Sequence, residues 1–286
     1  MGRTKELSEE TERKIIYNYV ELKQGLGTVG RNFGVSQYMV EKTLKKYGIK
    51  KRTYAEAKQT GRKFPCNDNF FKVQNSNMAY ILGLLAADGS VSKKENLIAI
   101  QLKAVDKEIL EKINEKTQNT RPLEFYTRKE TGHEISSFRV WSAEWKKDLA
   151  HYGITPNKTF TLQPPDFLLP EYRIDYIRGY FDGDGSIYQL KTQNRVFFEI
   201  TGASKVMIDW IRNELVNHYH IFINKELIEH RPNGTVIYKI KIGSVEELNK
   251  LYTLLYKDKE LFLARKKEKF YSLLKLHETS IPTVEE

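Results

Sequence analysis

The sequence predicts an α+β chain: two related halves, each of element order α-β-β-α-β-β-α, preceded by a small all-helical segment. Three observations predict it. The stretch Ala79–Ser90, AYILGLLAADGS, returns as Asp175–Ser186, DYIRGYFDGDGS, with Tyr80 and Tyr176, Gly83 and Gly179, and Asp88 and Asp184 each 96 positions apart. Behind each copy, strand-like alternation and helix-like spacing follow in the same order. Residues 8–48 carry helical spacing alone. Two such halves related by a pseudo-twofold place a pair of antiparallel sheets beside paired central helices.

In chain order, Ser8 is an N-cap with Glu9 and Glu10 in the first turn, and Ile15, Ile16, Tyr19 and Leu22 follow at helical spacing. A short second helix carries Val29 and Phe33, Gly34 makes the turn, and Ser36 caps a third helix with Met39, Val40, Leu44 and Tyr47 on its apolar face. The phrase RNFGVSQYMVEKTLKKYGI resembles a helix-turn-helix that offers Gln37, Tyr38, Lys42 and Lys45 to DNA; a plain helical cap on the larger domain is the alternative. This segment is assigned to residues 1–50. Residues 51–75 form a basic linker, reading from KKRTYAEAKQTGRK as a connector that tracks phosphates.

The halves are assigned to residues 76–165 and 166–286. An apolar decapeptide falls short of the roughly 20 residues a bilayer needs, so the repeated helices are core elements. Gly83 and Ala87, like Gly179 and Gly183, put two small residues on one face, one turn apart. Mid-helix glycine costs about 1 kcal/mol against alanine, which implies a packing reason. Parallel packing of the copies brings Asp88 and Asp184 together at their C-terminal ends. Two carboxylates there oppose the helix dipoles and repel, and a hard divalent cation such as Mg²⁺ removes that penalty. Either Asp-Gly alone reads as an ordinary C-cap and turn; the duplicated register argues for the pair. A larger residue at Gly179 is expected to part the helices and impair function while the protein stays folded.

Strands are expected at Leu97–Lys103, Leu123–Arg128 and Ser136–Trp141, and again around Phe197–Thr201, Ile223–His230 and Val236–Ile242. Helices begin near Asp106 and Ser204. Arg231-Pro-Asn-Gly234 is a hairpin turn, Ser142 and Ser244 start the closing helices, and Ser244 with Glu247 makes a capping box. Strand residues expected to face away from the helices are Gln101, Lys103, Tyr126, Arg128, Arg139, Lys191, Gln193, Arg195, Glu199, Thr201, His230, Lys239 and Lys241, a surface of major-groove width or an ordinary solvated sheet face.

ILGLLAADG (Ile81–Gly89) and IRGYFDGDG (Ile177–Gly185) resemble the two motifs of a single-chain LAGLIDADG homing endonuclease, with Ala86 departing where the family name has its first Asp. The resemblance implies Mg²⁺-dependent cleavage of double-stranded DNA at a long asymmetric site by a monomer, with Mn²⁺ as a substitute ion. It implies Asp88 and Asp184 as catalytic metal ligands, joined by the carbonyls of Ala87 and Gly183. It further implies Lys158 in ITPNKTF and Lys266 in FLARKKEKF, each at the start of the last helix of its half, as basic residues beside the scissile phosphates. A usually polar position aligns with Ala104 and Gly202, so the water-organising shell is incomplete by this reading. A non-cleaving transcription regulator and an intron-RNA maturase are the other readings of this scaffold.

Composition agrees with a polyanion partner. The 286 residues carry 47 Lys+Arg against 37 Asp+Glu, a net charge of +10. The single cysteine, Cys66, excludes an intramolecular disulfide and a multi-thiolate zinc site. The six histidines form no spaced ligand set, and no P-loop occurs. Without a signal peptide or spanning segment, the expectation is a soluble intracellular protein in a prokaryotic or phage-infected cell or an organelle. Met1 and the lack of a C-terminal His-Asn favour a free-standing protein over an intein.

Overall fold

The computed structural model describes residues 7–53, 56–57, 64–190, 192, 195–224 and 226–278, so Lys191 and Gln193, and Lys58, Arg62 and Lys63 of the basic linker, lie outside the described residues. The chain divides into two compact units, Met1–Pro65 and Cys66–Glu286.

Among its described residues, the first unit carries α1 (Glu9–Val20), α2 (Leu26–Phe33) and α3 (Gln37–Lys46). Ser8 caps α1 through Thr11 N, and Ser36 caps α3 through Met39 N. Gly34 ends α2 at φ 65°, a left-handed conformation that favours glycine. Ile15, Tyr19, Val29, Val40 and Leu44 form a closed core. Gln37, Tyr38, Lys42 and Lys45 are all exposed on α3.

The second unit repeats one pattern. Its first half runs α4 (Ser76–Ala87), β1 (Gly89–Val91), β2 (Leu97–Lys103), α5 (Lys107–Lys116), β3 (Glu124–Thr127), β4 (Glu134–Trp141) and α6 (Ala143–His151). The second runs α7 (Arg173–Asp184), β5 (Gly185–Leu190), β6 (Arg195–Gly202), α8 (Lys205–Asn217), β7 (Glu226–His230), β8 (Val236–Ile242) and α9 (Val245–Tyr256), and α10 (Ala264–Glu278) follows. Both sheets are antiparallel and four-stranded, in the matching orders β1-β2-β4-β3 and β5-β6-β8-β7. The expected α+β fold with two αββαββα halves is present, and one apolar core runs through both halves.

α4 and α7 form the most extensive contact between elements. They are parallel, because Gly83 meets Tyr176 and Tyr180, Gly179 meets Tyr80 and Leu84, and Gly183 meets Ala87. A Cβ on Gly83 would lie 2.0 Å from Tyr176 O, and one on Gly179 would lie 2.0 Å from Tyr80 O. Backbone touches backbone at both points, so these glycines are required by space. The expectation that a larger residue at Gly179 leaves a folded protein is corrected by this geometry, since the obstacle is main chain rather than a side chain that could swing away.

Three smaller expectations also change. The capping box does not form: Ser244 makes no side-chain cap bond, and Glu247 Oε2 instead accepts from Phe222 N at 2.9 Å. Arg128 lies beyond the end of β3, in the turn where its N–H donates to His133 O. His230 pairs with Val236 and so shares the side of β8 that carries Tyr238 and buried Ile240, not the side of Lys239 and Lys241.

Candidate functional site

The site grows from the helix crossing. Asp88 is the C-cap of α4 and Asp184 the last residue of α7. The crossing makes those ends neighbours: a Cβ on Gly183 would stand 2.3 Å from Ala87 Cβ and 3.3 Å from Asp88 Oδ2. Each acid leads directly into β1 or β5, and each of these is an edge strand of its sheet. The carboxylates therefore sit where the two sheets come closest in sequence to the crossing.

Two lysines reach the same place. Lys158 Nζ donates to Gly89 O, directly after Asp88. Lys266 Nζ donates to Phe181 O at 2.6 Å, Asp182 O at 2.7 Å, Gly183 O at 3.3 Å and Gly185 O at 2.6 Å. Lys266 is in the first turn of α10 as expected, whereas Lys158 lies on a single 3₁₀ turn, Lys158–Phe160. The structure thus brings together Asp88, Asp184, Lys158 and Lys266 with the backbone of Ala87 and Gly183.

Electrostatics marks the group as strained. Both acids keep an open face to solvent, yet the protein around them strips water from the rest of each carboxylate. Burial therefore raises Asp88, against the pull of Lys266 and Lys158. Asp184 is pushed up to about 6, first by burial and then by the charge of Asp88. Burial also lowers Lys158, and brings Lys266 down to about 8. Two acids and two bases held off their ordinary values in one spot are the pattern of a functional site.

The donor set fits a hard divalent cation, since it offers two carboxylates and backbone carbonyls with no sulfur or imidazole. Among the described residues, no group of three or more His, Cys, Asp or Glu side chains is placed to hold a metal. An ion here would draw on only two side chains and complete its shell with carbonyl, water or substrate oxygens.

The outward sheet faces carry most of the residues expected there, in varied company. Gln101 accepts from Tyr126 Oη at 2.8 Å, Arg139 pairs with Glu124 at 2.7 Å, and Lys239 pairs with Glu229. Lys103 and Arg195 are exposed, and Lys241 lies 3.9 Å from the Phe197 ring centre. Glu199 accepts from Tyr188 Oη at 3.0 Å. Thr201 Oγ1 donates to Asp184 O at 3.3 Å, which ties the face of β6 to the acid.

Sequence reasoning missed three participants. Asp182 is buried and accepts from Tyr80 Oη at 2.8 Å and Leu263 N at 2.7 Å. Burial pushes it up to about 6. Arg178 is also buried, pairing with Asp175 at 2.5 Å and donating to Leu261 O at 2.9 Å. Tyr180 has its hydroxyl 2.8 Å from where a Cβ on Gly202 would be, and burial raises the phenol, as does the charge of Asp184. The signal was available: the first copy has Ala86, Leu82 and Leu84 at these three positions.

Comparison with known proteins agrees with the motif. Residues 75–119 match a family described as a LAGLIDADG-like domain. A protein of Methanocaldococcus jannaschii described as uncharacterized is 28% identical over 146 residues, covering 47% of this chain and 51% of its own. The chain thus spans about half the length of that relative. Among solved structures, a full-length DUF199/WhiA protein of Thermatoga maritima has TM-score 0.48 at 16% identity, over 76% of this chain and 67% of its own. The LAGLIDADG homing endonuclease I-GzeII in complex with its DNA target has TM-score 0.45 at 14% identity, over 74% and 94%. At such identities and scores no activity passes from these structures to this chain, and the motif-bearing segment 75–119 is what the comparisons assign.

Proposed function

We propose that the chain is a sequence-specific double-strand DNA endonuclease that joins a two-motif nuclease unit to an N-terminal helix-turn-helix. The observation that carries this reading is the acid pair at a glycine-tight parallel crossing, where nothing in folding alone rewards two neighbouring carboxylates. Asp88 and Asp184, with the carbonyls of Ala87 and Gly183, would hold Mg²⁺ or Mn²⁺, Gly183 O keeping its other lone pair for Lys266. Such an ion, when bound, would supply charge relief on the scissile phosphate and lower the pKa of a water.

The chain's own residues do the rest. The rigid crossing fixes the spacing of the acids, which matters because a displacement of about 1 Å can cost on the order of a hundredfold in rate. Lys158 donates to a phosphate oxygen as negative charge develops. Gln101, Lys103, Arg195 and Lys241 face the major groove, while Gln37, Tyr38, Lys42 and Lys45 on α3 enter a groove of their own. The net charge of +10 supports a polyanion partner.

A second reading, a DNA binder that does not cut, is favoured by Ala104 and by Gly202, where the Tyr180 hydroxyl fills the space of a polar side chain. One experiment separates them. A randomised duplex library is incubated with the protein and MgCl₂, and cut molecules are captured and sequenced. The expected result is one enriched site, cut on both strands by the wild type and by neither Asp88→Asn nor Asp184→Asn, both of which still shift the same duplex. Removal of residues 1–53 should flatten the salt dependence of binding as phosphate contacts are lost. Retained shifting with no cut molecules at all would leave the non-cleaving reading in place.

A further inference from the structure

The two lysines hold equivalent places in the repeat, yet their surroundings differ. Gly89 and Gly185 are the paired positions after the acids, and each glycine carbonyl accepts from the lysine of its own half. Among the described residues, Lys158 meets no other acceptor, and its side chain is half-buried. Lys266 meets three further carbonyls, those of Phe181, Asp182 and Gly183, and is only 7% exposed.

An ammonium has three protons. With acceptors at 2.6, 2.6 and 2.7 Å and a fourth at 3.3 Å, every N–H of Lys266 is engaged by the backbone. Three of the four carbonyls it meets, those of Phe181, Asp182 and Gly183, lie in the last turn of α7, where Phe181 O also accepts from Gly185 N, and a cation there suits the helix dipole. α7 has no left-handed glycine to close it: Gly185 is extended, at φ −90° and ψ 164°, and runs straight into β5. Lys266 closes the helix from another element.

The same two segments are held a second time in the opposite sense. Asp182, on α7, accepts from Leu263 N, just before α10, and Leu263 O in turn accepts from Lys266 N at 3.0 Å. Lysine to α7 carbonyls and α7 carboxylate to the α10 entry make a reciprocal latch. The first half has Ala86 in place of Asp182, so it has no counterpart to this latch.

We propose that Lys266 is a positioning residue that, with Asp182, fixes the end of α7 and thereby Asp184, while Lys158 alone of the two lysines is free to bind a phosphate of the DNA backbone. The proposal rests on the nuclease reading for its substrate. Its geometry stands without cleavage, because the latch exists in the protein alone.

The test uses the full chain in Lys266→Met, Asp182→Ala, the double variant and Lys158→Met. In metal-free melting, Lys266→Met and Asp182→Ala should each lower the midpoint clearly, and the double variant should fall short of their sum, since either change opens one latch. Lys158→Met should melt close to wild type. Binding to a mixed-sequence duplex at several salt concentrations is the second readout. Lys158→Met should reduce the salt slope by about one, and Lys266→Met should leave it unchanged, which simple loss of stability cannot imitate. Additive midpoints for the pair, or equal losses of slope from the two lysines, would overturn the proposal. If the wild type cuts no duplex, the nuclease reading falls on its own, and the midpoints and slopes still judge the two lysines.

Discussion

The two halves of the second unit share one sheet topology and one helix register, and differ along one flank of the central helix. Where α4 has Ala79, Leu82 and Ala86, α7 has Asp175, Arg178 and Asp182, all buried. The difference follows from what covers each helix. Arg178 donates to Leu261 O and Leu255 O, and Asp182 accepts from Leu263 N, so the ions of α7 satisfy the backbone between α9 and α10. Irregular buried backbone leaves polar groups that must be paired. The repeat thus preserves the small residues where it meets its twin and lets the flank beside them, whose Asp182 also accepts from Tyr80 of α4, adapt to its cover.

The largest effect should come where the halves agree. Gly83→Ala and Gly179→Ala place a Cβ against a backbone carbonyl on the facing helix, at the two ends of a reciprocal contact. Overpacking typically costs about 1–3 kcal/mol, and a clash with main chain belongs at or above the top of that range. Each alanine variant should lose about 3 kcal/mol or more in urea unfolding, with equal losses at the two sites, and Gly179→Val should fail to give a folded second unit. Unequal losses would show that the pseudo-twofold is not an energetic symmetry.

An effect of comparable size should appear where the halves differ. Arg178→Leu leaves Asp175 with Lys259 as its remaining ion-pair partner, at 2.8 Å. Removing one member of a buried pair costs about 3–5 kcal/mol. The double change Asp175→Ala with Arg178→Leu writes two residues of α4 into α7 and should recover part of that loss, because neither member of the pair is left behind. The carbonyls of Leu255 and Leu261 lose their donor in both variants, which caps the recovery. A double variant no more stable than the single would mean that those carbonyls, and not the ion pair, are the reason for Arg178.

The repeated face was legible in the sequence for a physical reason. Small residues at a fixed offset, Gly83 with Gly179 and Ala87 with Gly183, carry their meaning in spacing alone, and so do the alternating strands. From that register the parallel crossing and the meeting of Asp88 with Asp184 followed. The latch of Asp182 and Lys266 was not legible, since it depends on where the chain returns about eighty residues later, and no local pattern records that. Ser244 and Glu247 show the converse: their spacing matched a capping box, but the tertiary neighbour Phe222 N took the carboxylate. Local rules held where the partner was local or repeated, and failed where it was distant and single.

The smallest effect distinguishes the acids themselves. Asp184 is pushed up to about 6 by burial and by Asp88, against the pull of Lys158 and Lys266, whereas the rise at Asp88 is opposed by Arg265 as well as by those two lysines. A carboxyl whose folded pKa lies above its unfolded value binds its proton more tightly when folded. Its ionisation therefore removes stability as pH rises from the ordinary aspartate range near 4 to about 6. Asparagine carries no charge, so Asp184→Asn should melt higher than wild type at neutral pH in metal-free buffer, and the gap should close as pH falls through that window. Asp88→Asn should gain less, because it also leaves three nearby cations with one anion fewer. The open face of each carboxylate screens the effect, which keeps the gain below that of any packing change above. Adding MgCl₂ should narrow the gap from the other side, since only the wild-type pair has two carboxylates to stabilise an ion. Equal midpoints for wild type and Asp184→Asn across the whole pH range would show that the two acids do not share a desolvated site.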